Sequence, residues 1–468
     1  MDYNKMPTNS FDNFFLSWTP DRSKLVRPCY LSLANALESD IISGKLAAGT
    51  PLPPQRELAD FLDLNFTTVT RAYNLCREKG LIYGVVGKGT FVSPRSGGVP
   101  GKSNAPLHPV ELGIVTGFSH LRTPVIEATE SVLKKGYIEE LYSYAEPAGH
   151  LHQRAAGAHW MSRMDVQTDS EHTAIFSGAQ NVISAALLSL FRLGDKLAVD
   201  EYTYPNLIGT AKLSHIQLVP VPGDAGGMIP EALRAICKKT RIAGLFLMPN
   251  CANPTTCTLS EKRKDELAEI ILSHKLTLIE DDNTGTPLPG STNYRSMFSR
   301  LPEQTIYVCN STMALCSGLR VAFAAFPELF RTRLLNALFH LNIKTSSLDA
   351  EIMTELILSG RAGKILEQKS ALAIERNRLF DTIFPNQLPP GAPAAFFRWL
   401  PLPKLKLNSM ELEGELLRRN VSVYHARRFT VNRIPGDFLR FAISTPHSLE
   451  ELQKGLETVR GFLEENAL

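Results

Sequence analysis

Apolar and polar positions between residues 30 and 92 follow a pattern that predicts three short helices and then two strands. Leucine and isoleucine recur every three or four positions over residues 31–42, which indicates an amphipathic helix, and Gly44 predicts its end. Two further helices follow, the second ending at Lys79. Short strands flank the glycine-rich turn at residues 84–89. Helix, helix-turn-helix and hairpin together predict a winged helix.

From about residue 111 the pattern changes to short apolar segments separated by helical stretches such as residues 261–274. This alternation predicts an α/β fold with a mainly parallel sheet covered by helices on both faces. Ligands of such sheets gather at the carboxyl ends of the strands. The predicted strands are residues 174–176, 196–199, 216–221, 245–248, 276–279 and 306–308, with 394–400 and 438–442 in a smaller α+β subdomain that ends in a helix over 449–463.

Composition adds little to this picture. The chain has 468 residues, enough for two or three domains, and a net charge of +3. The excess lies in residues 21–95, which carry 10 basic and 7 acidic residues and so give a weak hint of nucleic acid. Seven cysteines without a CxxC pair are typical of reduced thiols. With neither a signal peptide nor a membrane-spanning run in the sequence, we expect a cytoplasmic protein.

The winged-helix segment carries three motifs in order: LPPQRELA at residues 52–59, TTVTRAY at 67–73 and GKGTFV at 87–92. Together they resemble the GntR-type DNA-binding domain. The alternative is that these elements merely fold together without binding DNA, but the ordered set favours DNA. Phe66 departs from some members of that family, which have arginine there, so the resemblance implies nothing about base preference at this position.

The helix that begins near Thr67 offers short hydroxyls and main-chain N–H groups, which suit phosphates and base edges in a major groove. Arg56 can hold a phosphate or a guanine, and Lys88 lies at the tip of a glycine-rich wing that can approach the DNA backbone closely. The residues expected to contact DNA are Arg56, Asn65, Thr67, Thr68, Thr70, Arg71, Gly87 and Lys88.

Five segments of the larger part resemble fold-type I pyridoxal-phosphate aminotransferases. They are residues 144–149 (YAEPAG), 177–180 (SGAQ), 249–256 (PNCANPTT), 278–282 (LIEDD) and 305–323 (TIYVCNSTMALCSGLRVAF). Each of the shorter segments is weak evidence alone, since SGAQ is usually an ordinary helix start. Their order along one chain favours the family.

The resemblance implies a role for each residue. Tyr144 reaches a partner subunit's cofactor phosphate, while Gly178, Ala179, Gln180 and Arg320 hold the phosphate end. Asn310 and Thr312, in the polar turn before Met313, also bind the cofactor. Tyr204 stacks on the pyridine ring, Asn253 bonds the phenolic oxygen, Asp281 pairs with the ring nitrogen and Arg440 with a ligand carboxylate.

Met313 occupies the position of the Schiff-base lysine. A thioether cannot form an imine, so transamination is not expected. Asn283 stands where the family usually has tyrosine, and Thr256 where it has glycine. Because a single engineered change would not explain all three departures, natural loss of the chemistry is favoured. Pyridoxal 5'-phosphate or pyridoxamine phosphate would then bind non-covalently.

These resemblances identify the chain as a member of the MocR family of transcriptional regulators. The expected organisation is an extension (1–28), a winged helix (29–93), a linker (94–110) and an aminotransferase-like domain (111–468) for effector sensing and dimerisation. The expected partners are an operator in double-stranded DNA, a second copy of the chain and a small-molecule effector; no metal and no membrane are expected. Two rivals stay open: an active pyridoxal-phosphate-dependent aminotransferase, and a regulator whose pocket takes another small anion.

Overall fold

The computed structural model describes residues 16–47, 49–85, 87, 89–93, 109–282, 294–385, 392–431 and 436–468. The chain divides into two compact units, residues 1–107 and 108–468. The predicted linker, residues 94–110, lies outside the described residues except for its last two positions.

The first unit is built from three helices and a small antiparallel sheet. Its elements are α1 (Cys29–Ile42), β1 (Pro51–Leu52), α2 (Gln55–Leu62), α3 (Phe66–Glu78), β2 (Ile82–Val85) and β3 (Gly89–Val92), with sheet order β1-β3-β2. The hairpin matches the predicted wing, whereas β1 was not predicted, because a two-residue strand beside prolines leaves no alternation to detect. Asn65 caps α3, as one of the two predicted caps, by accepting a hydrogen bond from the Thr67 N–H at 2.9 Å.

The core of the first unit includes a residue from ahead of the winged helix. Trp18 is buried, and its Nε1 donates a hydrogen bond to Asp40 Oδ2 at 2.9 Å. Tyr73 is also fully buried, and its hydroxyl donates to the Pro53 carbonyl at 2.9 Å. Both polar atoms are therefore satisfied inside an apolar cluster.

The second unit contains a large sheet with helices around it. Its helices are α4 (Thr123–Leu133), α5 (Leu151–Met161), α6 (Ala179–Leu190), α7 (Pro205–Leu213), α8 (Pro230–Lys239), α9 (Glu261–His274), α10 (Met297–Arg300), α11 (Ser311–Ala314), α12 (Glu328–Asn342), α13 (Ser347–Leu358), α14 (Arg361–Ile383), α15 (Ser409–Arg418) and α16 (Leu449–Asn466). Its strands are β4 (Val110–Glu111), β5 (Thr173–Phe176), β6 (Lys196–Asp200), β7 (Gln217–Val221), β8 (Gly223–Asp224), β9 (Gly227–Met228), β10 (Gly244–Leu247), β11 (Thr277–Asp282), β12 (Thr305–Cys309), β13 (Ala322–Ala325), β14 (Arg398–Pro401), β15 (Val421–Ser422), β16 (Tyr424–His425) and β17 (Phe438–Phe441).

Seven strands form the main sheet in the order β5-β13-β12-β11-β10-β6-β7, and every strand is parallel to the rest except β13. The mainly parallel sheet confirms the predicted fold class. Its inner strands are buried on both faces, as their continuous apolar runs require, whereas β7 at the edge is mostly half-buried. A separate sheet, β14-β17-β16, belongs to the carboxyl-terminal part of the unit.

Two local predictions were wrong. The strand predicted over residues 394–400 begins only at Arg398, because residues 393–397 form turns and bends. The polar turn predicted after β12 is instead the one-turn helix α11, followed by a 3₁₀ turn at Ser317–Leu319. The antiparallel strand β13 was not predicted as a strand, since four apolar residues carry no usable period.

The sheet topology determines where the site can lie. The carboxyl ends of β5, β6, β10, β11 and β12 point to one edge, as parallel strands must. Because β13 runs the opposite way, its amino end lies at that same edge, and Arg320 lies two residues before its first residue. Residues from six strands are therefore gathered at a single edge.

Candidate functional sites

The predicted DNA-contacting residues of α2 and α3 lie mostly at the surface of the first unit. Arg56 is exposed, and its guanidinium carbon lies 5.8 Å from the centroid of the Phe66 ring. Phe66 is itself 43% exposed. The residue that departs from part of the family thus supports the arginine that we expect to contact DNA, and sequence reasoning missed this contact.

The other polar residues of α3 differ in how far their side chains are already engaged. The Thr67 hydroxyl donates to the Asn65 side chain at 2.8 Å, and the Thr70 hydroxyl donates to Gln55 Oε1 at 2.8 Å. Arg71 lies over the Tyr30 ring, with its guanidinium carbon 4.3 Å from the centroid. Thr68, which lies between Thr67 and Thr70 in the sequence, has a half-buried side chain. The Thr70–Gln55 hydrogen bond therefore joins α3 to α2, while Asn65 caps α3. We still expect the Thr68 hydroxyl and the Arg56 guanidinium to contact DNA.

The wing turn has the backbone that its glycines predict. Gly87 and Gly89 have φ of +75° and +112°, a region that glycine enters at little cost. Lys88, the predicted wing-tip contact, lies outside the described residues.

At the phosphate end of the pocket in the second unit, β5 leads into α6 through Gly178. This glycine has φ of +87°, and a Cβ on it would lie 2.9 Å from Arg320 Cζ. Only glycine therefore lets the guanidinium lie against the first turn of α6. The main-chain N–H groups of that turn, beginning at Ala179, and the arginine together form a site suited to phosphate.

Neighbouring hydroxyls and amides surround this cradle, and sequence reasoning did not single them out as a set. Ser177 Oγ lies 3.3 Å from Thr345 Oγ1, and Asn342 Nδ2 donates to the same serine. Gln180, in contrast, turns its amide nitrogen toward Thr210, and its buried Oε1 has no hydrogen-bond partner among the described residues.

Strand β11 ends in two buried carboxylates that point to opposite sides, as consecutive strand residues must. Asp282 accepts a hydrogen bond from the Tyr307 hydroxyl at 2.6 Å. Asp281 Oδ1, in contrast, has no hydrogen-bond partner among the described residues. Burial, and secondarily the charge of Asp282, raises the pKa of Asp281 to about 7. A protonated ring nitrogen placed at Asp281 would supply the missing partner.

Tyr204 and Asn253 complete the walls of the pocket. Burial raises the pKa of the Tyr204 hydroxyl, and Asp281 adds to this, whereas Arg320 and Arg440 lower it, so these charges lie within interaction range. Asn206 donates to the Tyr204 hydroxyl at 2.9 Å. Asn253 is buried, and its Oδ1 has no partner among the described residues.

Thr256 keeps the turn that glycine would favour. Its φ is +59°, an unusual value for a β-branched residue, and its N–H donates to the Ala252 carbonyl at 2.6 Å. Threonine is therefore strained at this position, where glycine would enter the same backbone conformation at little cost.

Met313, which we predict at the lysine position, lies in α11 and is half-buried. A Cβ on Gly117 would lie 3.1 Å from Met313 Cα, so the two backbones pack closely. The buried ammonium of Lys369, which sequence reasoning missed, donates to the carbonyl oxygens of Met313 and Leu315, each at 3.0 Å. Burial lowers the pKa of Lys369 to about 8. This lysine fixes the end of α11 through main-chain contacts.

Arg440 on β17 is 4% exposed and is surrounded by aromatic rings. Its guanidinium carbon lies 5.3 to 5.9 Å from the ring centroids of Phe397, Tyr424 and Phe429. One terminal nitrogen donates to the Gly113 carbonyl, while Nε is buried without a partner among the described residues. A buried guanidinium with an unsatisfied N–H suits a carboxylate ligand.

Three predicted pocket residues are not brought into this arrangement by the described chain. Tyr144 is 85% exposed, in keeping with a residue predicted to act in a partner subunit. The main-chain N–H of Asn310 donates a hydrogen bond to the Asp282 carbonyl at 3.1 Å, and Thr312 lies in α11. Asn283, predicted at the missing tyrosine's position, lies outside the described residues.

The donor set fits a pyridoxal-phosphate species. A phosphate cradle, an unpartnered carboxylate and a buried amide come together at one sheet edge, and the unpartnered atoms of Asp281 and Asn253 are the observation that indicates a ligand. Among the described residues no cluster of three or more histidine, cysteine or acidic side chains could hold a metal. Within the same ranges, no helix is long and apolar enough to cross a membrane.

A model of aminotransferase class I and II matches residues 113–459, which is most of the chain. The chain belongs to the aminotransferase class I and II family. A model of bacterial regulatory proteins of the gntR family matches residues 29–92, so this aminotransferase-family chain carries a gntR-type unit as well. The two matches fall in the two compact units.

Two relatives of this chain are named as transcriptional regulators. The HTH-type transcriptional regulator YdeF of Bacillus subtilis is 36% identical over 467 residues, covering 98% of this chain and all of that one. The vitamin B6 salvage pathway transcriptional repressor PtsJ of Salmonella typhimurium is 28% identical over 296 residues, covering 62% of this chain and 66% of its own.

Solved structures show the fold of the second unit. LysN, the α-aminoadipate aminotransferase of Thermus thermophilus, complexed with N-(5'-phosphopyridoxyl)-L-leucine, superposes with a TM-score of 0.69 at 21% identity, covering 76% of this chain and 92% of its own. The second unit therefore has the fold of an aminotransferase.

Proposed function

We propose that this chain is a MocR-type, DNA-binding transcriptional regulator whose aminotransferase-like unit holds a pyridoxal-phosphate species without a covalent bond and responds to it as a homodimer. The observation that carries the proposal is the contrast around α11. Met313 supplies no amine, while the Arg320 guanidinium against Gly178 would suit a phosphate and the unpartnered Asp281 Oδ1 would suit a ring nitrogen. Relatives that are named as transcriptional regulators support the regulatory half.

The pocket residues would each act by binding rather than by chemistry. Arg320 and the first turn of α6 would neutralise the phosphate, Asp281 would pair with the ring nitrogen, and Arg440 would orient an amino acid carboxylate. When bound in an aminotransferase, this cofactor acts as an electron sink. Here it would act as a ligand, shifting the chain toward the state that it binds more tightly.

A comparison of two probes tests the cofactor proposal. Purified protein should bind pyridoxamine phosphate by calorimetry, and borohydride treatment after addition of pyridoxal phosphate should attach no cofactor to the chain. Met313→Lys should gain an absorbing, reducible adduct, whereas Met313→Gln, similar in length but without an amine, should not. A reduced adduct on the parent protein, or no binding of either compound, would overturn the proposal.

Footprinting upstream of the protein's own gene tests the DNA half independently. We expect protection of two half-sites, because a dimer carries two reading helices. Addition of pyridoxamine phosphate, with or without amino acids, should change the measured affinity for that fragment. A fragment bound no better than random DNA of equal length would contradict the assignment.

An active aminotransferase remains the rival to be excluded. Transamination of common amino acids should stay at background, because no described lysine takes the place of the missing one. Lys369 is engaged with main-chain carbonyls, and Lys344 donates to Ser347 Oγ at 2.7 Å. Steady turnover that is lost in Asp281→Ala would establish the rival.

A further inference from the structure

The second unit contains another cavity, of about 230 Å³, at the carboxyl ends of β6 and β10. Asp200 ends β6 and lines it, together with Met248 just after β10. None of the residues assigned to the pyridoxal-phosphate pocket lines this cavity. Pockets for drug-sized ligands measure roughly 300–1,000 Å³, so the cavity suits a smaller organic molecule.

One wall of the cavity is aromatic. The rings of Trp399 and Phe438 stack with centroids 4.7 Å apart and planes 11° from parallel. Tyr202 lies edge-on to both, with its centroid 5.2 Å from Trp399 and 5.7 Å from Phe438. Its hydroxyl donates to the Gly436 carbonyl at 3.0 Å, which fixes the ring. Three rings held in this way form a rigid surface rich in π-electrons.

The charged groups of the cavity are all acidic. Asp200, Glu201 and Asp224 line it, and no arginine, lysine or histidine does so among the described residues. Asp224 is neutralised by Arg263, whose Nη2 lies 3.1 Å from Asp224 Oδ2. The Asp200 carboxylate has no hydrogen bond or ion pair with any described residue.

Asp200 is half-buried, and no described residue places a positive charge against its carboxylate. Burial raises the pKa of Asp200 to about 7. The neighbouring Cys257 side chain adds no charge of either sign, because burial, with a contribution from Asp200, raises the pKa of its thiol to about 12 and keeps it neutral. Charges that are largely withdrawn from water in proteins are usually paired or hydrogen-bonded. Among the described residues this carboxylate has no such partner, and it lines the same cavity as three aromatic rings.

We propose that the cavity binds a small organic monocation, with Asp200 as its counter-charge and the rings of Tyr202, Trp399 and Phe438 against its alkyl groups. Aromatic faces attract ammonium groups, and the attraction grows when water is excluded. Protonated primary amines and quaternary ammonium compounds share this chemistry. The site is separate from the proposed effector pocket and would provide a second input to the regulator.

Choline and its neutral carbon isostere, 3,3-dimethyl-1-butanol, test the role of charge at constant shape. Calorimetry with the full-length protein should show saturable binding of choline and at least tenfold weaker binding of the alcohol. Butylammonium, tested in parallel, distinguishes a primary-amine site from a quaternary-ammonium site. Equal affinity for choline and the alcohol, or no saturable binding of either cation, would overturn the proposal.

Two variants locate the binding. Asp200→Asn keeps the shape of the side chain and should weaken cation binding at least tenfold, while Asp195→Asn, which makes the same charge change ahead of β6, should bind like the parent. Trp399→Phe keeps a ring in place and should remove most of the fluorescence change on binding, because Trp18 and Trp160 do not line the cavity. Equal affinities of Asp200→Asn and Asp195→Asn would contradict the site.

A third variant separates this proposal from the proposed function. Arg320→Ala should weaken pyridoxamine phosphate and leave choline binding unchanged. Loss of both ligands in Arg320→Ala would contradict a separate cation site. Absence of pyridoxamine phosphate binding in the parent, with choline binding retained, would remove the proposed effector and leave the cation site standing.

Discussion

Arg56 in the first unit and Asp281 in the second carry charges in opposite surroundings. The arginine is exposed beside Phe66, and water can solvate its guanidinium in the free protein. The carboxylate is 3% exposed, lacks a partner on Oδ1 among the described residues, and has its pKa raised to about 7 by burial. In the absence of ligand, the exposed charge of Arg56 costs the fold little stability, whereas the buried charge of Asp281 destabilises it.

This difference teaches how substitutions should behave in each unit. Removing an exposed charge changes what the surface binds and leaves folding almost unaffected. Removing a buried unpartnered charge raises the free energy of unfolding and at the same time removes ligand binding. Four predictions, ordered by expected effect, test this division between the DNA-facing surface and the buried pocket.

The largest effect is expected from Asp281→Asn. A carboxyl whose folded pKa lies above its unfolded value of 3.8 destabilises the fold progressively as pH rises, until about pH 7. Asparagine does not titrate, so the free energy of unfolding of the variant should exceed that of the ligand-free parent by up to about 4 kcal/mol at pH 8. The difference should be smaller at pH 5. Urea unfolding at both pH values measures this difference.

Asp224→Asn is the matched control of opposite sign. Its hydrogen bond with Arg263 holds the pKa of Asp224 below its usual value, so this carboxylate stabilises the fold at high pH and loses that effect as pH falls. An Asp281→Asn protein that is no more stable than the parent at pH 8 would show that the Asp281 carboxylate is satisfied in the folded state.

Arg320→Ala should weaken binding of pyridoxamine phosphate about a hundredfold, or about 2.7 kcal/mol, because a phosphate would lose its only assigned arginine. Pyridoxamine without phosphate should lose only a few-fold in affinity. Arg331→Ala, which removes a surface partner of Glu171, is the control. Calorimetry with pyridoxamine phosphate and with pyridoxamine checks the result. If Arg320→Ala weakened the binding of both by the same factor, the phosphate would not bind at Arg320.

Arg56→Ala and Thr68→Ala should each weaken operator binding by roughly 1–3 kcal/mol, and Lys88→Ala should reduce the salt dependence by about one ion. The melting temperatures of Arg56→Ala and Thr68→Ala should match the parent's, since neither side chain belongs to the apolar core of the first unit. Arg460→Ala, an exposed arginine of α16, is the control. Fluorescence anisotropy across a salt series measures operator binding. If all three variants bound the operator with the parent's affinity, our assignment of the DNA-reading surface would be wrong.

The smallest effect is expected at Thr256. Its positive φ should destabilise the folded state by about 1–2 kcal/mol. Glycine would remove this strain, but it loses more backbone entropy on folding, which offsets part of the gain. Thr256→Gly should therefore raise the free energy of unfolding by up to about 1 kcal/mol, whereas Thr255→Gly should lower it. Chemical denaturation compares the two, and destabilisation of equal size in both would mean that Thr256 is unstrained.

Local sequence patterns determined much of this protein. The winged helix follows from helical periodicity, the Asn65 cap and a glycine turn, all of which act between residues close in sequence. The α/β class follows from strand–helix alternation, and the family resemblance adds the candidate residues at the sheet edge. The roles of those residues, including the position of Met313, stay predictions.

Contacts between distant residues were decided only by the tertiary structure. Lys369 reaches the Met313 carbonyl across 56 positions of sequence, and Arg320 packs on Gly178 only because the antiparallel β13 starts at the same edge where β5 ends. The cation cavity likewise joins Asp200 to Trp399. Periodicity reports which face of an element is buried, whereas partners are chosen by how the elements pack, and that choice also decides which buried polar groups are left without one.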